Sequence, residues 1–225
     1  MASRKKEASE RRSHRSGVRT RLSILRAAEA VIAERGYESA SLREITSRAG
    51  VDLALVNYHF GSKERLYIAI LSRRNLAINR KRLKRLEQAR RDAAPHAIPP
   101  EVIVDCFLDP IFERLMAKAT GWRDWGRIAA RINSTPPVLT HQREEVDEIS
   151  LVFIRELQRS LAHVDPGSLY FRYAFMAACV IEVLHSTSRV SNMSEGAVDM
   201  RDIARAAVEA RAFIIGALTA PGADR

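Results

Sequence analysis

Asn57, Tyr58 and His59 stand side by side in this sequence, and Lys63 follows one helical turn later. All four donate hydrogen bonds to phosphate oxygens or base edges, so the stretch is equipped to hold nucleic acid. Catalysis is poorly supplied by comparison. The chain has no G-x-G-x-x-G, P-loop, H-E-x-x-H or G-x-S-x-G motif. Its six histidines are scattered without metal-ligand spacing. Cys106 and Cys179 each sit among apolar residues as buried thiols, with no disulfide framework or metal spacing. His141, Glu144 and Glu145 would share one helix face, a pattern that any charged helix exterior produces. The expectation is therefore a non-enzyme without cofactor or metal.

Charge points the same way. Residues 1–82 hold 19 of the 37 Lys and Arg but only 8 of the 27 Asp and Glu, a net +11 that leaves −1 for the rest. A basic N-terminal module for a polyanion, joined to a neutral module with another task, fits that asymmetry. Neither a signal peptide nor an apolar run of membrane-spanning length is visible, so a cytoplasmic location away from the membrane is expected.

The elements that must position these residues are short and well punctuated. Residues 1–18, rich in Arg and Lys and nearly devoid of apolar side chains, read as a disordered basic arm. Leu22, Leu25, Ala28 and Ile32 recur at helical spacing until Gly36. Ser41-Leu42-Arg43-Glu44 forms a capping box for a second helix ending at Ala49-Gly50. Asp52 caps a third helix, Leu53 to Phe60; Gly61 breaks it, and Ser62 caps a fourth running to about Arg91. Two short capped helices about a glycine-containing turn describe a helix-turn-helix at about 41–60. Leu42, Ile45, Ala49, Val56 and Phe60 face inward, leaving Asn57, Tyr58 and His59 outside.

Several stretches together resemble the DNA-binding signature of the TetR family of bacterial regulators. They are Ile24-Leu-Arg-Ala-Ala-Glu29, Ala33-Glu-Arg-Gly-Tyr37, Ser41-Leu-Arg-Glu-Ile45, Ala49-Gly-Val51, Val56-Asn-Tyr-His-Phe-Gly-Ser-Lys-Glu64 and Leu66. The resemblance covers residues 19–72 and is similar in wording to the branch that contains fatty-acid-responsive repressors. It implies an all-α protein: a three-helix DNA-binding domain over 19–78, joined by helix 4 to a helical ligand-binding and dimerisation domain over 79–225. It also implies that the third helix reads the major groove, with Tyr58, His59 and Lys63 on phosphate. Arg43, Leu53, Ala54 and Asn57 would then read bases, Arg43 suiting guanine, Asn57 adenine and Ala54 a thymine methyl. Arg15 of the arm and Arg19 just beyond it add contacts. Leu53 and Asn57 depart from the family's commoner residues, which leaves the operator sequence open.

Beyond Pro95, Pro99 and Pro100 only helical periodicity appears. Helices are expected from Glu101, from Trp122 to Asn133, through Val146–Leu161, from Ser168 to Arg189 and from Val198 to Leu218. The last two are apolar on more than one face (Tyr173, Met176, Ala177, Val180, Leu184; Ile203, Ala207, Ala210, Ile214, Ala217), as an intramolecular core or an interface with a second copy requires. In the family such helices pair in a homodimer. The resemblance further implies an inducer cavity lined by Phe107, Ile111, Leu115, Trp122, Trp125 and Met176. Those apolar walls suit a fatty acyl compound or a hydrophobic drug, with Arg127 or Arg131 for an anionic head. Together these readings describe a dimeric repressor released from an inverted-repeat operator by an apolar or amphipathic inducer. The alternative is an activator or ligand-free architectural regulator of the same fold. A membrane-surface role is disfavoured because the first helix lacks a bulky Trp/Phe face.

Overall fold

The computed structural model describes residues 2–117, 121–130, 140–185 and 188–221, with side chains from Arg15 onward except 130 and 140–147. The expectations placed on Arg131, Asn133 to Pro137, and the side chains of His141, Glu144, Glu145 and Val146 lie outside the described residues. The described chain is helical, with no strand: α1 (Ala2–Arg35), α2 (Leu42–Ala49), α3 (Leu53–Phe60), α4 (Lys63–Ala93), α5 (Pro100–Met116), α6 (Trp122–Ala130), α7 (Thr140–Ser160), α8 (Pro166–His185), α9 (Arg189–Met193) and α10 (Ile203–Thr219). It divides into two compact units, Met1–Arg73 and Arg74–Arg225. That division falls inside the continuous α4, where no sequence signal marks it, and earlier than the expected boundary at 78/79.

In the first unit, Ile24, Leu25, Ala28, Val31 and Ile32 of α1 are buried with Ile45 of α2 and Val56 and Phe60 of α3. The Ser41 hydroxyl accepts from the Glu44 amide at 3.1 Å, as a capping box requires. Its reciprocal half is diverted, because the Glu44 carboxylate accepts from Arg35 Nε at 2.6 Å. Gly50 ends α2 in the left-handed region at φ 65°, a conformation cheap only for glycine. Asp52 does not cap through its side chain; its carbonyl instead accepts the Leu55 amide at 3.0 Å. Ser62 does cap, accepting from Arg65 N at 3.1 Å. Residues 1–18 depart from the expected disordered arm, since α1 is helical from Ala2. The composition that forbids a packed core still consists of good helix formers (Ala, Arg, Lys, Glu), and no proline interrupts it.

In the second unit, α10 packs on α5 and α8, and α8 also packs on α6 and α7. The core is Phe107, Leu108, Ile111 and Phe112 of α5 with Phe153 and Leu157 of α7, Tyr173, Met176 and Val180 of α8, and Ile214 and Leu218 of α10. Helix α8 corrects one expectation: by length and composition Pro166–His185 is apolar enough to cross a membrane. Arg172 and Glu182 break the apolar run without lowering its average far. Helix α10 starts at Ile203, later than expected, because the Asp202 carboxylate accepts the Arg205 amide at 3.2 Å and fixes the first turn there. The short α9 has no apolar period to announce it, being Arg-Val-Ser-Asn-Met.

Ion pairs tie α4, α5 and α10 together. Arg211 reaches Asp105 at 2.6 Å and also Asp109. Arg85 reaches Asp109 at 2.9 Å and also Glu113, which lies 3.8 Å from Lys81. A second knot centres on buried Glu156, paired with Arg90 at 2.6 Å and Arg159 at 2.8 Å.

Candidate nucleic-acid interface and ligand-binding core

Helix α3 turns Val56 and Phe60 inward, leaves His59 half-buried and exposes the rest. Arg21 of α1 lies over the Phe60 ring at 5.0 Å, a cation–π contact that ties α3 to α1. With that face anchored, Leu53, Ala54, Asn57 and Tyr58 are exposed together, and Arg43 is exposed on α2. Tyr58 is 82% exposed and meets only the edge of the His59 ring, 5.1 Å away. A large phenol held in water beside a half-buried imidazole has no packing reason to be there, but it is placed to donate to an external acceptor.

Lys63 differs from its neighbours. Its ammonium donates to the Glu38 carbonyl at 3.1 Å and sits 4.6 Å from the centre of the Tyr37 ring. Burial, followed by the Glu64 and Glu38 carboxylates, raises the Tyr37 phenol above its ordinary pKa, so the ring stays neutral under the lysine. Lys63 thus begins α4 already oriented, with ammonium N–H groups beyond the Glu38 bond to offer an anion.

A groove of about 640 Å³ runs along α1, lined by Arg15, Arg19, Arg26 and Arg48 with Val18 and Leu22 between them. Arg15 and Arg19 were expected to contribute; Arg26 and Arg48 were not. The signal for Arg26 was present, since 15, 19, 22 and 26 fall on one helical stripe, but it was hidden by reading residues 1–18 as an arm. Arg48 is held by a bidentate pair to Glu34, both contacts at 2.8 Å.

In the second unit the six residues expected to line a cavity, Phe107, Ile111, Leu115, Trp122, Trp125 and Met176, are all buried. Phe107 meets Phe153 and Tyr173 edge-on at 5.2 and 5.7 Å, and the two tryptophans meet at 5.6 Å. They are packed as core, and of the six Leu115 borders an open space, a cavity of about 100 Å³. Two polar groups are poorly satisfied within this interior. Trp125 Nε1 is buried with no hydrogen-bond partner among the described residues. Arg82 stacks 3.7 Å from the Phe107 ring centre and donates to the Phe107 carbonyl at 2.8 Å. Burial, unrelieved by any carboxylate, pushes its guanidinium down to about 10, which still leaves it cationic at neutral pH.

Helices α8 and α10 each carry a second apolar stripe that the core does not use. Phe171 is 70% exposed, Phe175 62%, Phe213 65% and Val208 62%. Tyr173, Met176, Val180, Leu184, Ala207 and Ile214 are instead buried within the unit, so the residues first picked out on these helices mostly serve the intramolecular core. Cys179, Ala210 and Phe213 border a groove of about 450 Å³ on this surface.

Comparison with known proteins bears on both units. Residues 24–70 match the family model described as bacterial regulatory proteins, tetR family, and residues 105–217 match the tetracyclin repressor-like C-terminal domain. Fifty residues are 46% identical to the HTH-type transcriptional activator FasR of Mycolicibacterium smegmatis, covering 22% of this chain and 23% of that protein. The chain thus matches about a quarter of that relative's length. Among solved structures, a SmeT–triclosan complex superposes with TM-score 0.61 at 22% identity, over 91% of this chain and 96% of that one. The fatty acid degradation regulator FadR of Bacillus halodurans does so with TM-score 0.56 at 16% identity, over 86% and 97%. At those identities the superpositions speak for the fold.

Proposed function

This chain belongs to the TetR family of bacterial transcriptional regulators, and we propose that it is a dimeric, ligand-responsive repressor that binds an inverted-repeat operator. The observation that carries the DNA-binding half is the outward face of α3, where Tyr58 stands in water between Asn57 and His59. Tyr58, His59 and Lys63 position the helix on phosphates, with Arg15 and Arg19 extending the contact. Arg43, Leu53, Ala54 and Asn57 meet the base edges. The 19–78 segment is the DNA-binding domain and 79–225 the sensing and dimerising one.

The unused apolar stripe of α8 and α10 supports a two-fold dimer. Three phenylalanines of this exposure present roughly 400 Å² of apolar surface per chain, taking about 200 Å² per ring. A standard interface buries about 800 Å² per partner, so this stripe forms its apolar centre.

The inducer is an apolar or amphipathic molecule, and the aromatic interior around Phe107, Trp122 and Trp125 supports this choice. The FadR and SmeT likenesses suggest a fatty acyl compound first and a planar drug such as triclosan second. The closed packing of these residues means that the ligand selects a conformer with that interior opened. Only its differential affinity for two conformers can release DNA. FasR, an activator by name, favours a second reading in which the same head activates transcription.

Site selection from random duplexes, followed by anisotropy across a salt series, tests the proposal. An inverted repeat should emerge, with a log–log salt slope of several units at roughly 0.9 per phosphate neutralised. A single half-site with a flat salt response rules the reading out.

A further inference from the structure

We propose that the cavity of about 100 Å³ bordered by α5, α6, the end of α8 and the start of α10 is an oxyanion site, holding a carboxylate or phosphate group of the inducer. This rests on the inducer reading above and narrows it to an anionic ligand. One wall is basic: Arg123 and Arg127 of α6, His185 at the end of α8, and Arg201 just before α10. The rest of the lining is apolar, with Leu115, Val183, Leu184 and Ile203. Among the described residues no carboxylate lines the space.

Counter-charges are present but do not balance these cations. Asp124 lies 3.6 Å from Arg127 and Asp199 2.8 Å from Arg201. Arg123 and His185 have no ion-pair partner among the described residues. Three guanidinium groups from two separate segments therefore converge on one concavity with two carboxylates to offset them. Like charges gathered this way repel, and an entering oxyanion turns that repulsion into attraction. Arg123 and Arg127 stand one turn apart on α6, so their planar forks can be offered to one group from the same side. Forked donors of this kind match the geometry of carboxylate and phosphate.

Size sets the division of labour. At about 100 Å³ the cavity matches a head group rather than a long acyl chain. Leu115, Val183 and Ile203 are there to meet the first carbons of a tail. The ligand class is an amphiphile whose single oxyanion is held here; a free inorganic anion would satisfy the same donors.

Calorimetric titration of the full chain separates these sources, with dodecanoate, dodecyl phosphate, dodecanol and inorganic phosphate as probes. Dodecanoate and dodecyl phosphate should bind at least about tenfold more tightly than dodecanol, and Arg123→Gln should weaken both by about 10- to 100-fold. Arg123→Lys, which keeps the charge but loses the fork, should recover part of the loss, with circular dichroism confirming that each variant is folded. Inorganic phosphate binding that Arg123→Gln abolishes would uphold the site and assign it to a free anion. Equal binding of dodecanol, or anionic binding indifferent to both substitutions, overturns the proposal. Anisotropy of the unliganded wild-type chain on duplex DNA is read separately. Its failure would remove the regulator reading, and its success beside indifferent probes would remove the oxyanion site alone.

Discussion

Replacing Phe175 with Glu should convert the proposed dimer to a monomer while leaving the fold intact. Phe175 is 62% exposed on α8, one turn from Phe171, which is 70% exposed. Truncating that surface therefore leaves no internal cavity. With about 200 Å² for a phenylalanine and 25 cal/mol per Å², the exposed part contributes roughly 3 kcal/mol when a partner covers it. Two-fold symmetry applies the loss twice, for about 6 kcal/mol, and the dimer dissociation constant should rise about 10⁴-fold. Desolvating the new carboxylate acts in the same direction. Sedimentation equilibrium from nanomolar to micromolar concentration measures the change, with thermal melting by circular dichroism as the control for folding. A Phe175→Glu chain that melts normally and still dimerises within tenfold of the wild type would refute the argument. The stripe would then lie outside the interface.

Three further outcomes follow from other parts of the structure. Asn57→Ala should cost about 1–3 kcal/mol on the selected operator and relax one base position, whereas His59→Ala should weaken specific and unrelated DNA alike; parallel site selections compare them. Glu156→Gln should lower unfolding free energy by about 1–3 kcal/mol in urea titrations, because a buried carboxylate serves Arg90 and Arg159 together; an unchanged midpoint would mean that both arginines are as well off in water. Burial, only partly opposed by Arg85, pushes the Cys106 thiol up to about 11, so at pH 8 iodoacetamide should modify it only after denaturation, as mass spectrometry would report.

How much of this was legible beforehand depended on how local the cause was. Ser41, Gly50 and Ser62 act within one turn of themselves, and the helix boundaries they predict appear in the structure. Glu44 was misread because its competitor, Arg35, belongs to the preceding helix and its reach is a tertiary fact. The exposed face of α3 followed from the periodicity of Val56 and Phe60. Of the basic cluster only Arg127 was expected beside an anionic head; Arg123, His185 and Arg201 had no such signal, since the residues come from separate segments and converge only in the folded unit. The same holds for α8, where periodicity reported two apolar stripes but could not say which one the core would take. Tyr173 and Met176 took it, leaving Phe171 and Phe175 outside.

The acidic residues of α5 that face Arg85 and Arg211 occupy positions 105, 109 and 113, and their partners on α4 occupy 81 and 85. Both rows repeat every fourth residue, like rungs of equal spacing. Sliding one helix past the other by a single rung would return Arg85 to a pair of carboxylates, now Asp105 and Asp109, so charge alone draws the helices together without saying where they must stop. The stopping place is written in shapes that do not repeat: Arg82 laid flat on Phe107, and Ile78 and Leu86 buried on either side of it. Adhesion and alignment are thus carried by different residues along the same seam. A chemist could dissolve the first with salt and leave the second to hold the helices in step.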